Sequence, residues 1–305
     1  MKLFNGNYAL DTFSNVPEAK ERCVDTFIIT RFNLRLWSKD KHNRSTLSKE
    51  WLEERFKLFD TYCFPSIKAQ TNQYFLWVCL FDEELTMPYI DKIKEYVKES
   101  KVFLPIFIDK EDSSNVTRCI SDIILKFKDE SRDLITIRLD NDDALSVEFI
   151  ETVKEYAKNV TETTIHSFKY GIQYYVKDRL AVHIPFYNNH FLSLINKNFD
   201  WNDYKELQVQ HVLQFNHYDT KKYPYPFVCD KQHENMWVEV IHPTNVSNDS
   251  KLTLNQGPIK QRNYMIEKFN WGGQFKLPYV SELDFWRFMS MRILKHATMK
   301  IWKKI

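Results

Sequence analysis

From residue 25 to residue 158 the chain alternates short apolar runs, rich in β-branched and aromatic residues, with stretches of helical spacing. Strand followed by helix, repeated, is the pattern of a mostly parallel sheet with helices on its faces, and it leaves few other folds open. Residues 25–32 read as a first strand. Ser48 to Tyr62 reads as a helix with Trp51, Leu52, Arg55, Phe56, Leu58 and Phe59 on one face and Pro65 just past its stop. A second strand covers 74–81 and closes on Asp82, followed by a helix over 88–99, a strand over 102–108 and a helix over 113–128. The run 134–139 is a fourth strand that leads directly into Asp140-Asn141-Asp142-Asp143, and a helix follows over 146–158.

Beyond residue 160 the pattern is richer in strands and less regular. Strands are expected over 163–170, 172–176, 181–184 and 237–241, the last ending on His242, and a short helix over 186–196. Residues 247–280 are polar and irregular and read as a loop or linker after a domain spanning 1–246. Ser281 to Asp284 resembles a capping box opening a basic amphipathic helix over 281–305. Its Arg287, Arg292, Lys295, Lys300, Lys303 and Lys304 meet no acid after Asp284, so 285–305 suits either an anionic membrane surface or a packed helix with a solvated basic face.

A chain of 305 residues with 43% apolar and 28% charged residues buries a core without staples. The five cysteines are odd in number and lack CxxC spacing, which argues against a disulfide framework or a zinc site and for a reducing, cytoplasmic setting. A formal charge of +2 gives no overall drive toward nucleic acid. No run is long and apolar enough to span a bilayer. Aromatic residues make up 15%, enough to line a sugar site as well as the core.

The acidic turn is the main candidate for chemistry. Ligands of open α/β sheets bind beyond the carboxyl ends of strands, where this turn falls. Three carboxylates within four residues repel one another unless a cation or strong donors compensate, and hard oxygen ligands suit Mg²⁺ or Mn²⁺. The same residues also suit a solvated turn with a helix N-cap, and spacing alone does not decide between the two. Arg31, Asn33 and Asp82 stand at strand ends, and Arg138 lies two residues before the turn. An inverting transfer to a hydroxyl needs a general base, for which His166, Asp203, Glu206, His211, Asp230 and Glu239 are candidates. No Gly-rich phosphate loop follows the first strand, and the chain has only five glycines.

The runs Ile29-Thr30-Arg31-Phe32-Asn33, Arg55 with Phe59 and Cys63-Phe64-Pro65-Ser66, Phe75-Leu76-Trp77, and Arg138 to Ala144 resemble the putative rhamnosyltransferase family in ordered blocks from about residue 25 to 250. That family is similar to the GT-A glycosyltransferases. The resemblance implies a GT-A-like α/β fold and a nucleotide-sugar donor held by a DxD element. Carried over, Asp142 is the metal ligand and Asp140 faces ribose or metal, with Mn²⁺ or Mg²⁺ as cofactor. The segment Met236 to Asn248 resembles the family's late W…H…N block, which makes His242 a further ligand; Pro243 departs from the glycine expected there. The implied donor side comprises Arg31, Asn33, Asp82, Arg138 and Asp140, and the acceptor is a saccharide or a lipid-linked sugar in surface-polysaccharide synthesis. A nucleotidyltransferase and a non-catalytic carbohydrate-binding module are the alternatives.

Overall fold

The computed structural model describes residues 23–36, 38–40, 42–109, 116–131, 133–200, 209–245, 257–259, 262–272 and isolated positions between 283 and 294. In chain order the elements are β1 (Thr26–Arg31), α1 (Lys49–Leu58), α2 (Phe64–Lys68), β2 (Leu76–Asp82), α3 (Glu83–Thr86), α4 (Ile90–Glu99), β3 (Phe103–Ile108), α5 (Val116–Phe127), β4 (Leu134–Arg138), β5 (Ala144–Leu145), α6 (Phe149–Asn159), β6 (Thr164–Phe168), β7 (Tyr170–Tyr175), β8 (Leu180–Pro185), β9 (Leu192–Asn196), β10 (Phe227–Asp230), β11 (Trp237–Ile241) and α7 (Arg262–Phe269).

Seven strands form the central sheet in the order β10-β6-β9-β4-β1-β2-β3. All neighbours run parallel except β9, which is antiparallel to both β4 and β6. The strand alternation of period two divides the core. Trp77, Cys79 and Phe81 of β2 pack with residues of α1, α2, α4 and α6 on one face, whereas Leu76, Val78 and Leu80 pack with α5 on the other. Because β1, β2 and β4 are covered on both faces, their sequences are nearly continuous apolar runs.

A second sheet, β5-β11-β7-β8, carries the late strand β11. Within this sheet Gly171 of β7 leaves room for the Trp237 ring of the adjacent β11, since a Cβ there would lie 2.2 Å from that ring. Trp237 in turn donates its indole N–H to Phe168 O at 2.8 Å and stacks on Phe191 at 4.7 Å.

The mixed α/β class matches the sequence reading, with local differences. The helix expected over 186–196 is instead strand β9, buried along its whole length between β4 and β6. A short apolar run has no decisive period, and here the unpaired edges of two strands determine its state. β10 was not anticipated. The helix beginning at Ser48 leaves α geometry at Phe59, where a π-helical turn, Phe59–Cys63, links it to α2. Ser48 caps α1 by accepting from Trp51 N at 3.2 Å. Within the stretch read as a loop or linker, α7 contributes Met265 and Phe269 to a cluster with Leu58, Tyr62, Tyr174 and Trp271. Most of 281–305 lies outside the described residues, as does Asn248.

Candidate active site

β1 and β4 are adjacent parallel strands at the centre of the sheet, so their carboxyl ends deliver Arg31 and the segment Arg138–Asp143 to the same edge. The acidic turn is pinned there by Asn141, whose Nδ2 donates to Phe32 O at 2.6 Å and whose Oδ1 accepts from Arg55 at 3.3 Å.

Asp142 is buried and its Oδ2 collects three donors. Arg55 Nη1 lies 2.5 Å away, His242 Nε2 2.7 Å and Asn245 Nδ2 3.3 Å. Burial raises the Asp142 pKa, but Arg55 and His242 outweigh it and bring it down to about 2. Arg55 is itself buried against the Trp51 ring, 4.6 Å from its centroid, and donates to Thr244 O at 2.7 Å. The tautomer of His242 follows from its neighbours: Nδ1 accepts from Thr244 N at 3.2 Å, which makes Nε2 the N–H donor to Asp142.

Asp143 turns the other way. Its Oδ1 accepts from Val240 N at 2.8 Å and its Oδ2 meets His190 Nε2 at 2.7 Å. Burial, together with Asp142, Asp140 and Glu239, pushes its pKa well up, and burial lowers that of His190. The pair is therefore best described as sharing one proton without net charge. Asp140, a third exposed at its side chain, accepts from Arg138 Nη2 at 3.2 Å. Burial acts to raise its pKa, yet Arg138, His190 and Arg31 together hold it below the usual carboxylate range. Burial lowers the Arg31 pKa, with Asp140 opposing.

A cleft of about 460 Å³ opens over this edge. Arg31, Asn33, Trp51, Arg55, Arg138, Asp140, Asp142 and Asn245 line it together with the wall segment Leu213–Tyr218, whose His217 and Tyr218 rings lie 3.8 Å apart and tilted by 43°. Trp51 Nε1, Arg55 Nε and Arg138 Nε are buried without an acceptor among the described residues. The cleft thus holds more positive charge and donors than acceptors, which favours an anionic ligand rich in oxygen.

The residues expected to carry chemistry are only partly brought together. Arg31, Asn33, Arg138, Asp140 and Asp142 line the cleft, and His242 sits directly behind Asp142. Asp82 does not line it: it caps α3 through Leu85 N at 2.8 Å and pairs with Arg35 Nε at 2.6 Å. Of the candidate bases, Asp203 and Glu206 lie outside the described residues. His166 is enclosed between Tyr156 and Phe168, and its pKa falls to about 4 through burial. His211 is buried, Glu239 is held by Gln173 at 2.6 Å, and Asp230 caps Gln232 N at 2.6 Å. Among the described residues none of these four lines the cleft. Sequence reasoning gave no site role to Arg55, His190, Asn245 or His217. Arg55 alone carried a signal, as a guanidinium on the apolar face of its helix.

The donor atoms suit a divalent cation: carboxylate oxygens with one or two imidazoles fit Mn²⁺ well and Mg²⁺ less well. Two groupings are possible. Asp140, Asp143 and His190 place ligand atoms within 4.8 Å of one another, and Asp142 touches His242. Only Asp140 and Asp142 reach the cleft, because both Asp143 oxygens are used inside the fold.

Comparison with known proteins settles the class. A family profile described as "putative rhamnosyl transferase" matches residues 28–253, well over half of the chain. The chain belongs to this family of glycosyltransferases. None of the curated proteins matches it. Among solved structures, S. aureus TarS is similar at 11% identity with a TM-score of 0.37, over 72% of this chain and 37% of TarS. Mouse xyloside xylosyltransferase 1 in its apo form is similar at 13% identity with a TM-score of 0.27, over 47% of this chain and 52% of that one. The glycosyltransferase described here therefore spans well under two thirds of either structure. Among the described residues, no helix is long and apolar enough to cross a membrane.

Proposed function

We propose that the chain transfers a hexosyl or deoxyhexosyl group, rhamnose being the family's label, from a nucleotide-sugar donor to a saccharide or lipid-linked acceptor. The observation that carries this reading is the convergence of Arg31, Arg55 and Arg138 on Asp140 and Asp142 at the carboxyl edge of β1 and β4. The guanidiniums match the oxygens of a diphosphate, and Asn33 and Trp51 flank the place where a nucleoside would lie. Asp140, Asp142 and His242 would hold Mn²⁺ or Mg²⁺, and such an ion, when bound, stabilises charge developing on a diphosphate leaving group.

The chain's own residues set up the transfer. Arg55 holds Asp142 ionised and fixes its rotamer, and Asn141 fastens the turn to β1. An inverting displacement would deliver the acceptor proton to a base on the cleft wall, for which His217, a lining residue, is the candidate. Five free thiols agree with a cytoplasmic setting, where nucleotide sugars are available for surface-glycan assembly.

Thermal shift with a panel of UDP-, dTDP- and GDP-sugars, with and without Mn²⁺, tests the reading. One donor class together with Mn²⁺ should stabilise the protein by about 2.7 kcal/mol at a hundredfold excess over Kd. Because a ligating His242 must be a neutral imidazole and the aspartates must be ionised, Mn²⁺ affinity should weaken toward acid pH. The metal assignment fails if Asp142→Asn and His242→Gln keep the full Mn²⁺ shift, and the transferase reading fails if no nucleotide sugar binds.

A further inference from the structure

A row of aromatic side chains leads away from the cleft, and donor binding does not account for it. Five of the thirteen residues from Phe215 to Phe227 are aromatic, against 15% of the whole chain. Phe215, His217 and Tyr218 line the cleft. From Phe215 the rings continue to Tyr223 at 5.6 Å, from Tyr223 to Phe227 at 5.7 Å, and from Phe227 to Tyr187 at 5.4 Å. Local sequence sets the row: Pro224 and Pro226 favour an extended backbone and are exposed, while the alternate residues Tyr223, Tyr225 and Phe227 are half-buried.

Core packing explains the middle of the row but not its ends. Phe215, Tyr223, Tyr225 and Phe227 pack against a cluster of Ile165, Leu192, Leu194 and Val212 and still keep part of their surface in solvent. Tyr218 and Tyr187 are not members of that cluster and are 62% and 49% exposed. The tyrosines within the row are braced before any ligand arrives, since Tyr223 donates its hydroxyl to Asn216 O at 3.1 Å and Tyr225 donates to Gln210 Oε1.

The chemistry of the row selects its occupant. Between Val209 and Asp230 the formal charges balance, Asp219 and Asp230 against Lys221 and Lys222, so nothing here draws an anionic lipid or a nucleic acid. Aromatic rings beside Gln210, Gln214 and Asn216 combine apolar faces with hydrogen-bonding groups, the combination that a sugar chain meets with its C–H faces and hydroxyls. Because the row starts beside the candidate base His217, an acceptor hydroxyl held there leaves the rest of its chain next to these rings. We propose that Tyr218, Phe215, Tyr223, Phe227 and Tyr187 form a track for a neutral oligosaccharide acceptor several units long. This inference rests on the transfer reading and names its acceptor class.

An array of neutral and anionic oligosaccharides, graded from one to six hexose or deoxyhexose units, tests the assignment with the full chain. At least one neutral series should bind, its affinity rising about tenfold from two units to six as further rings are reached. Tyr187→Ser, a change at an exposed position outside the cleft, should weaken binding of the six-unit member about fivefold while binding of the two-unit member and the melting temperature stay unchanged. Tyr187→Trp should restore the preference for length. No bound series, equal affinity at all lengths, binding of anionic glycans alone, or wild-type affinity in Tyr187→Ser overturns the proposal. So does a concentration-dependent dimer that Tyr187→Ser dissociates when no saccharide binds. Nucleotide-sugar binding is read separately on the wild-type chain: its absence sinks the transfer reading, whereas donor binding without length dependence sinks only the track.

Discussion

Asp142 and Asp143 are neighbours in sequence but meet opposite electrostatic surroundings. Asp142 faces Arg55 at 2.5 Å and stays ionised, while Asp143 faces His190 and a backbone N–H and is pushed toward the neutral form. The turn therefore has a charged side, open to the cleft, and an uncharged side that locks it to β11. The contrast teaches that an acidic cluster need not act as a unit: here one member serves the ligand and another the fold. His166 belongs with the uncharged side, as an imidazole kept neutral by burial.

The largest expected effect is on the charged side. Arg55→Met leaves Asp142 buried without its cation, and the predicted cost is about 3–5 kcal/mol by denaturant unfolding, with loss of donor binding. Arg55→Lys keeps the charge but cannot reach Asp142, Asn141 and Thr244 O with one planar fork, so it should fall between wild type and methionine. If Arg55→Met unfolds like the wild type, the ion pair does not hold the turn.

A second test uses pH. Between pH 6.5 and 4 the unfolded state binds a proton at His166 that the folded state does not. Stability should therefore fall by about 3 kcal/mol from this group as pH drops through that window, and no further below it. His166→Phe keeps the ring between Tyr156 and Phe168 and should remove that part of the acid sensitivity. An unchanged slope in urea unfolding across the window would show that other groups dominate.

The smallest effect sharpens the comparison most. In Asp143→Asn, the amide oxygen can still accept from Val240 N and the amide nitrogen can donate to His190 Nε2. Stability should change by about 1 kcal/mol or less, and the Mn²⁺ shift should persist. Loss of that shift in Asp143→Asn, with retention in Asp142→Asn, would move the cation to the Asp140–Asp143–His190 grouping and reverse the roles of the two sides.

Sequence pattern carried the central strands because each is covered on two faces and reads as an apolar run between helices. It failed at β9, whose state depends on β4 and β6 rather than on its own residues, and at β10, a short edge strand of half-buried residues. The acidic turn was readable because its composition is unusual at a strand end. His190 and Asn245 were not, since each acquires its role only by meeting the turn across a long sequence separation, and Arg55 showed only as a guanidinium on the apolar face of its helix. Asp82 shows the reverse case, in which an acid at a strand end is consumed by capping and by Arg35.

Those separations also order events in time. Asp142 reaches back 87 residues to Arg55 and forward 100 to His242, while Asp143 waits 97 residues for Val240 N. A growing chain can pair β1, β2, β3 and β4 well before β11 exists, but it cannot complete the site until residues 237–245 have emerged and docked. Binding competence is thus a late product of synthesis, and a fragment ending before Trp237 would hold the central parallel strands while leaving Asp142 without His242 and Asn245 and Asp143 without Val240 N.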